Sequence, residues 1–214
     1  MEKTAIVIGV TGLVGQYLLD LLLQDPAYQT IITFARRHLD KDHPKLVQKG
    51  FPTADRLLQE VKCDDFFCTL GTTIKKAGSQ ESFRQIDFDL PLSFAKVARQ
   101  NGTKHFLLVS AMGAQSNGPF FYSRIKGQLE EAIMQMGFPS CTILRPSLLL
   151  GPRAEYRLGE KIGERLLGLL KPFLVGSLAD LRPVHAQDVA RSLVKAANCP
   201  PDGSRIIRSA EMTL

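Results

Sequence analysis

Tyr122 and Lys126 stand four residues apart in the segment Tyr122-Ser123-Arg124-Ile125-Lys126. If that segment is helical, the spacing sets a phenol and an ammonium on one face, a single turn apart. A nearby ammonium favours phenolate and makes proton transfer by a tyrosine feasible. Ser110 closes the apolar run His105–Ser110, where a hydroxyl at a strand end can hydrogen-bond a substrate carbonyl. On its own, a Tyr–Lys pair at this spacing is common and inert. With Ser110 beside it, the chemistry in view is proton exchange with a carbonyl or an alcohol. That chemistry needs a hydride carrier held within reach.

The start of the chain has the pattern of a site for such a carrier. The apolar run Ala5–Val10 enters Gly9-Val10-Thr11-Gly12-Leu13-Val14-Gly15, and a leucine-rich stretch follows with Leu18, Leu19, Leu22 and Leu23 at helical spacing. A second apolar run, Thr30–Ala35, comes next. Strand, glycine turn, helix and strand, in that order, make the nucleotide-binding half of a Rossmann unit. Gly9 permits a tight turn, Gly12 lets a pyrophosphate approach the backbone, and Gly15 lets the helix pack closely on the sheet. Phosphates at Thr11, Leu13 and Val14 would meet free N–H groups and the positive end of the helix. The bland alternative is a glycine-rich turn with no ligand.

Arg36 and Arg37 follow the second run, where an NAD-preferring protein usually carries an acid for the ribose hydroxyls. Two guanidinium groups suit a 2′-phosphate, and Arg36 can also stack on adenine. The expected cofactor is therefore NADP(H). Asp40 and Asp42 come too late to replace the missing acid. Read blandly, the arginines are solvated loop residues. Leu70-Gly71-Thr72-Thr73 follows the run Asp65–Thr69, at the carboxyl edge of the expected sheet. Gly71 can pass close to the adenine ribose, and Thr72 and Thr73 can donate hydroxyl bonds or simply cap the next turn.

These residues need a scaffold, and the alternating signals describe one. Strands are expected at Thr4–Val10, Thr30–Ala35, Lys45–Gln48, Asp65–Thr69, His105–Ser110, Cys141–Pro146 and Arg205–Arg208. Helices are expected at Val14–Gln24, Gln80–Gln100 with a kink or boundary at Pro91, Tyr122–Met136, Leu158–Leu170 and Asp188–Ala197. Several strand runs are continuously apolar, as buried parallel strands should be. The fold class is α/β, a doubly wound parallel Rossmann sheet with helices on both faces. A chain of 214 residues fits one domain, residues 1–214, with residues 151–184 as a small substrate-side insertion.

Composition narrows the partners. A formal charge of +6 favours anions, but it is spread without a basic tail, so no nucleic-acid partner is expected. No run reaches the roughly 18–20 apolar residues of a membrane span, and the N-terminus enters a strand rather than a secretory signal. The expected location is cytoplasmic, without membrane association. Cys63, Cys68, Cys141 and Cys199 are scattered and lack histidine partners, which points to core thiols and to no metal site.

The combination resembles the short-chain dehydrogenase/reductase superfamily in its atypical and extended branches. The resemblance lies in the Thr11–Gly15 turn, in Ser110 with Gly113 three residues on, and in the Tyr122–Lys126 pair. More closely, the chain is similar to the Tat-interacting protein (TIP30) family and its bacterial relatives. That likeness covers Cys68–Gly71 with Thr72 and Thr73, Ala77-Gly78, Lys104-His105-Phe106 and Tyr122 to Gly127. Leu144-Arg145-Pro146, Pro183-Val184-His185 and Asp188-Val189-Ala190 resemble the extended branch more generally.

The resemblance implies roles. Tyr122 would be the general acid/base, Lys126 would hold the nicotinamide ribose and tune Tyr122, and Ser110 would orient the substrate oxygen. Pro146, Ser147 and Leu148 would lie beside the nicotinamide. Where many members carry an asparagine that organises a relay water, this chain has Asp87 in Gln85-Ile86-Asp87. Its carboxylate would bind that water or answer Lys126. Two functions are expected. One is an NADP-dependent oxidoreductase for a small apolar carbonyl or alcohol, with Leu148–Leu150, Tyr156, Leu158 and Phe173 as lining or as core. The other is an NADPH-binding regulator with little or no turnover, holding a protein partner. A homodimer through exposed helices is compatible with either.

Overall fold

Continuous apolar runs become parallel strands in the computed structural model, which describes residues 2–152 and 180–212. The strands are β1 (Lys3–Ile8), β2 (Tyr28–Phe34), β3 (Leu46–Lys49), β4 (Asp65–Cys68), β5 (His105–Val109), β6 (Ser140–Arg145) and, after two short strands described below, β9 (Gly203–Arg208). They form one sheet in the order β3-β2-β1-β4-β5-β6-β9, and every neighbouring pair is parallel. The strand order reverses beside β1, the crevice at which such sheets bind ligands outside their carboxyl ends. The doubly wound α/β fold is thus the one the alternating pattern foretells. The helix expected at Leu158–Leu170 lies outside the described residues, as does most of the 151–184 insertion.

Helices cover both faces. On one, α1 (Leu13–Gln24) buries Leu18, Leu19 and Leu22, and α7 (Ala186–Asn198) buries Val189, Leu193 and Ala197. On the other, α5 (Leu90–Gln100) buries Phe94, Ala95 and Ala98, while α6 (Phe121–Gln135) buries Leu129 and Ile133. Phe66 and Phe106 are register partners on β4 and β5, and their rings stack at 5.0 Å. Cys68 and Cys141 belong to this second core, whereas Cys199 is exposed, which departs from the expectation of a core thiol there. Sequence periodicity did not reveal several short elements. Among them are α2 (Ala54–Glu60) and the two-residue strands β7 (Leu149–Leu150) and β8 (Val184–His185), which pair with each other.

The long helix foreseen over Gln80–Gln100 has three parts. These are α4 (Gln80–Arg84), a π-turn at Gln85–Asp89, and α5. Pro91 has no N–H to give to the carbonyl four residues earlier, that of Asp87, so the regular ladder is interrupted there. The wider turn inserts a residue and rotates Asp87 into the interior, where it is fully buried.

Several polar groups at the amino edge of the sheet meet one another, while His105 Nδ1 has no partner among the described residues. Tyr28 Oη donates to Asp65 Oδ2 at 2.6 Å, and Lys3 Nζ reaches the same oxygen at 3.0 Å. His105 Nε2 and Thr142 Oγ1 lie 2.9 Å apart across β5 and β6. Burial first, and the Lys3 ammonium second, push the His105 imidazole down to about 4. The unfolded chain protonates this residue near pH 6.5, so only the unfolded state gains the proton between those values. Stability is therefore complete above about pH 6.5 and falls as pH drops toward 4, by about 3 kcal/mol for this group. Asp65, raised by burial, works in the opposite direction at lower pH. Urea unfolding at pH 7.5 and 4.5 isolates the histidine when wild type is compared with His105→Gln. The variant should lose markedly less stability on acidification, and equal losses would remove His105 as the cause.

Candidate active site

The glycine turn follows directly from β1. Gly9 has φ +83°, and a Cβ there would stand 2.4 Å from the carbonyl carbon of Thr69 and 2.5 Å from Leu70 N. Its lack of a side chain thus serves both a positive dihedral and a close approach to the end of β4. A Cβ on Gly15 would lie 2.3 Å from Gly9 O and 2.8 Å from Thr69 Oγ1, so α1 can seat on the sheet only with glycine here. Gly12 is extended, donates its N–H to Gly9 O at 2.9 Å and begins α1 without a side-chain cap. The first turn of α1 carries no acid, so its positive end points to the crevice unneutralised.

Arg36 and Arg37 are exposed just beyond β2, with no side-chain partner among the described residues. Next to them, at the end of β3, is an open pocket of about 420 Å³ with His38, Lys49 and Arg56 on its walls. Glu60 lines the same pocket and pairs with Lys49 at 3.2 Å, and these residues are too far apart in sequence for any local motif to connect them. Leu70 packs against the core, and Thr73 caps the short helix α3 (Ile74–Ala77) by accepting the Lys76 N–H at 3.1 Å. For Thr73 the capping alternative is thus the observed geometry. Gly71 and Thr72 instead face the buried Asp87, whose Oδ2 accepts the Thr72 N–H at 2.9 Å.

Ser110 follows β5. Its N–H donates to Leu144 O at 2.8 Å, and its buried Oγ has no partner among the described residues. Tyr122 is the second residue of α6 and is 37% exposed, its ring 5.5 Å from that of Phe83. One turn on, Lys126 is buried, and its Nζ lies 2.7 Å from Asp87 Oδ1. Burial would pull this ammonium down, but the Asp87 carboxylate, with a smaller share from Tyr122, leaves it above the ordinary lysine value. A Cβ on Gly127 would lie 2.3 Å from the Gln115 backbone, so α6 sits directly on the loop that leaves Ser110. Pro146, just after β6, accepts the Met112 N–H at 2.9 Å and holds the other side of that loop.

The sequence-derived residues therefore line one edge of the sheet. They run from Arg36–Arg37 at β2, through Gly9–Gly15 at β1 and Leu70–Thr73 at β4, to Ser110 at β5 and Pro146 at β6. Four strand spacings separate the ends, about 19 Å, which suits a ligand of two nucleotides lying across the crevice. The glycine cradle, the uncapped helix end and the unpartnered Ser110 hydroxyl fit a dinucleotide and a substrate oxygen. Tyr156, Leu158 and Phe173 fall outside the described residues.

The HIM1 family model matches residues 34–174, more than half of the chain. "Protein FMP52, mitochondrial" of Candida albicans is 36% identical over 199 residues, covering 89% of this chain and 86% of its own length. The protein of the same name from Emericella nidulans is 36% identical, covering 76% and 74%. Among solved structures, the Bordetella bronchiseptica enzyme WbmH in complex with NAD+ superposes with a TM-score of 0.73 at 16% identity, covering 97% of this chain and 76% of its own. A UDP-N-acetylglucosamine 4-epimerase from Methanobrevibacter ruminantium M1, in complex with UDP-N-acetylmuramic acid, gives 0.70 at 15%, with the same coverage. The doubly wound parallel α/β fold is thus shared with these two enzymes. The relatives' names overturn the cytoplasmic expectation, since they are mitochondrial proteins. That expectation rested on the want of a membrane span and of a secretory signal, and neither separates the cytoplasm from an organelle.

Proposed function

The chain belongs to the HIM1 family, with FMP52 proteins among its relatives, and from that footing we propose that it is a mitochondrial NADPH-binding oxidoreductase acting on a small apolar carbonyl compound. The observation that carries this reading is the alignment, along one sheet edge, of the glycine turn, the unpartnered Ser110 hydroxyl and the Tyr122–Lys126 pair. NADP(H) would be held by Gly9, Thr11, Gly12, Leu13, Val14 and Gly15 at its pyrophosphate and by Arg36 and Arg37 at its 2′-phosphate. Leu70, Gly71, Thr72 and Thr73 would border it in mid-crevice, with Tyr122, Lys126 and Pro146 at the nicotinamide end. When bound, the cofactor supplies hydride chemistry. Ser110 Oγ donates to the substrate oxygen and fixes its direction. Tyr122 Oη gives or takes the proton at that oxygen, while Lys126 holds positive charge beneath it. Met112 and Phe120, 40% and 74% exposed, border the same loop and suit an apolar substrate.

Calorimetric titration with NADPH and NADH tests the cofactor. Wild type should prefer NADPH, and replacing Arg36 and Arg37 together by alanine should weaken NADPH at least about tenfold while leaving NADH nearly unchanged. Equal losses for both would sink the phosphate reading. A second reading, an NADPH-dependent regulator with little turnover, is favoured by the engagement of Lys126 with Asp87 and by the resemblance to TIP30-like proteins. A carbonyl screen that yields no turnover from protein that binds NADPH would select it.

A further inference from the structure

The ammonium of Lys126 and the carboxylate of Asp87 are respectively 4% and 0% exposed, and their atoms lie 2.7 Å apart. A lysine so buried would shed its proton without a partner, and a carboxylate so buried would keep one. The other carboxylate oxygen of Asp87 accepts the Thr72 N–H at 2.9 Å, while the Gly71 backbone passes over the pair. One carboxylate thus joins α6 to the loop after β4, and a π-turn is what brings it there. Among the described residues, few groups face Lys126. They are Asp87, Tyr122 on its own helix, and Cys68 on β4, a thiol that burial pushes up to about 12 and so keeps neutral. Glu130, one turn further along α6, is taken by Arg145 Nε at 3.0 and 3.2 Å.

We propose that Asp87 is a positioning residue for Lys126. It keeps the ammonium charged and docked under the Gly71–Thr72 backbone, so that Lys126 meets a nicotinamide ribose as a fixed donor. The ribose contact rests on the nucleotide reading above, whereas the Lys–Asp unit itself does not.

The test is carbon-13 NMR of the lysine Cε resonances in the full chain, with Lys126 assigned by its loss in Lys126→Met. In wild type the Lys126 signal should hold steady to about pH 10. In Asp87→Asn its midpoint should fall by at least about two pH units, and in Asp87→Glu much of that fall should be recovered. NADPH affinity of Asp87→Asn should drop at least about tenfold as pH passes that lowered midpoint, with no such step in wild type. Should Asp87→Asn fold poorly, the double variant Asp87→Asn with Lys126→Met should regain the lost stability, because it removes both charges of the unit. A Lys126 signal that titrates alike in wild type and Asp87→Asn would overturn the proposal, as would a double variant no more stable than Asp87→Asn. If the NMR result is as expected but wild type binds no nicotinamide nucleotide, the Lys–Asp unit is supported and the ribose contact is overturned.

Discussion

Replacing Tyr122 by phenylalanine is expected to lower carbonyl turnover at least about 100-fold while changing NADPH affinity less than about twofold. The substitution removes one oxygen and leaves the ring against Phe83, so the start of α6 keeps its packing. Lys126 stays paired with Asp87, and the glycine turn follows β1, away from α6, so the other groups assigned to nucleotide binding are untouched. What is lost is the atom proposed to exchange a proton with the substrate oxygen beside Ser110. Positioned acid–base groups contribute roughly 100- to 10,000-fold, which sets the lower end of the expected drop. Steady-state rates on any carbonyl found by screening, measured beside calorimetric NADPH affinity, check both halves. Retained turnover would move the proton transfer to another group. An equal fall in affinity would make Tyr122 a binding residue instead. Ser110→Ala in the same assay reports on orientation, since that hydroxyl has no partner to lose among the described residues.

The parts of this site visible in the amino-acid pattern were those fixed by local rules. Glycine spacing after an apolar run identifies the turn, because backbone approach and positive φ exclude other residues. Continuously apolar runs identify the parallel strands, because helices cover both of their faces. The four-residue spacing of Tyr122 and Lys126 shows up on any helix. Asp87 is different. Its inward aim depends on a π-turn ahead of Pro91, and a single inserted residue leaves no periodic trace. The sequence therefore left two roles open for this carboxylate, and the geometry selects the pairing with Lys126. The strands Leu149–Leu150 and Val184–His185 were invisible for another reason. Each is two residues long, and only tertiary pairing across 34 intervening positions defines them. His38, Lys49 and Arg56 converge on one pocket from separate segments, a gathering that only the folded chain displays. Location was misread because composition can exclude a membrane span without naming a compartment.

Gly9→Ala should be among the most damaging glycine substitutions of the described residues, destabilising the chain by about 3 kcal/mol or more. Two penalties act together. An alanine at φ +83° is strained by about 1 kcal/mol wherever it sits. Its Cβ would also enter the Thr69–Leu70 backbone at 2.4–2.5 Å, where no side chain can swing aside. Relief would require parting the ends of β1 and β4, which the Thr69 N–H donation to Ile8 O at 2.9 Å holds together. Gly113→Ala separates these penalties, for Gly113 has φ +77° but nothing within 4 Å of the added carbon. It should cost only about 1 kcal/mol. Gly12→Ala completes the series. Its Cβ meets Gly9 O at 3.1 Å, a contact the turn can relax, so folding should suffer little. The added methyl would nevertheless stand where the backbone must approach a pyrophosphate, so NADPH affinity should fall at least about tenfold. Urea unfolding of the three variants, with calorimetry on those that fold, reads both effects. If Gly9→Ala were no costlier than Gly113→Ala, the close approach of β1 to β4 would not be what requires glycine at the turn. If Gly12→Ala bound NADPH like wild type, the turn would be a structural corner with its ligand elsewhere.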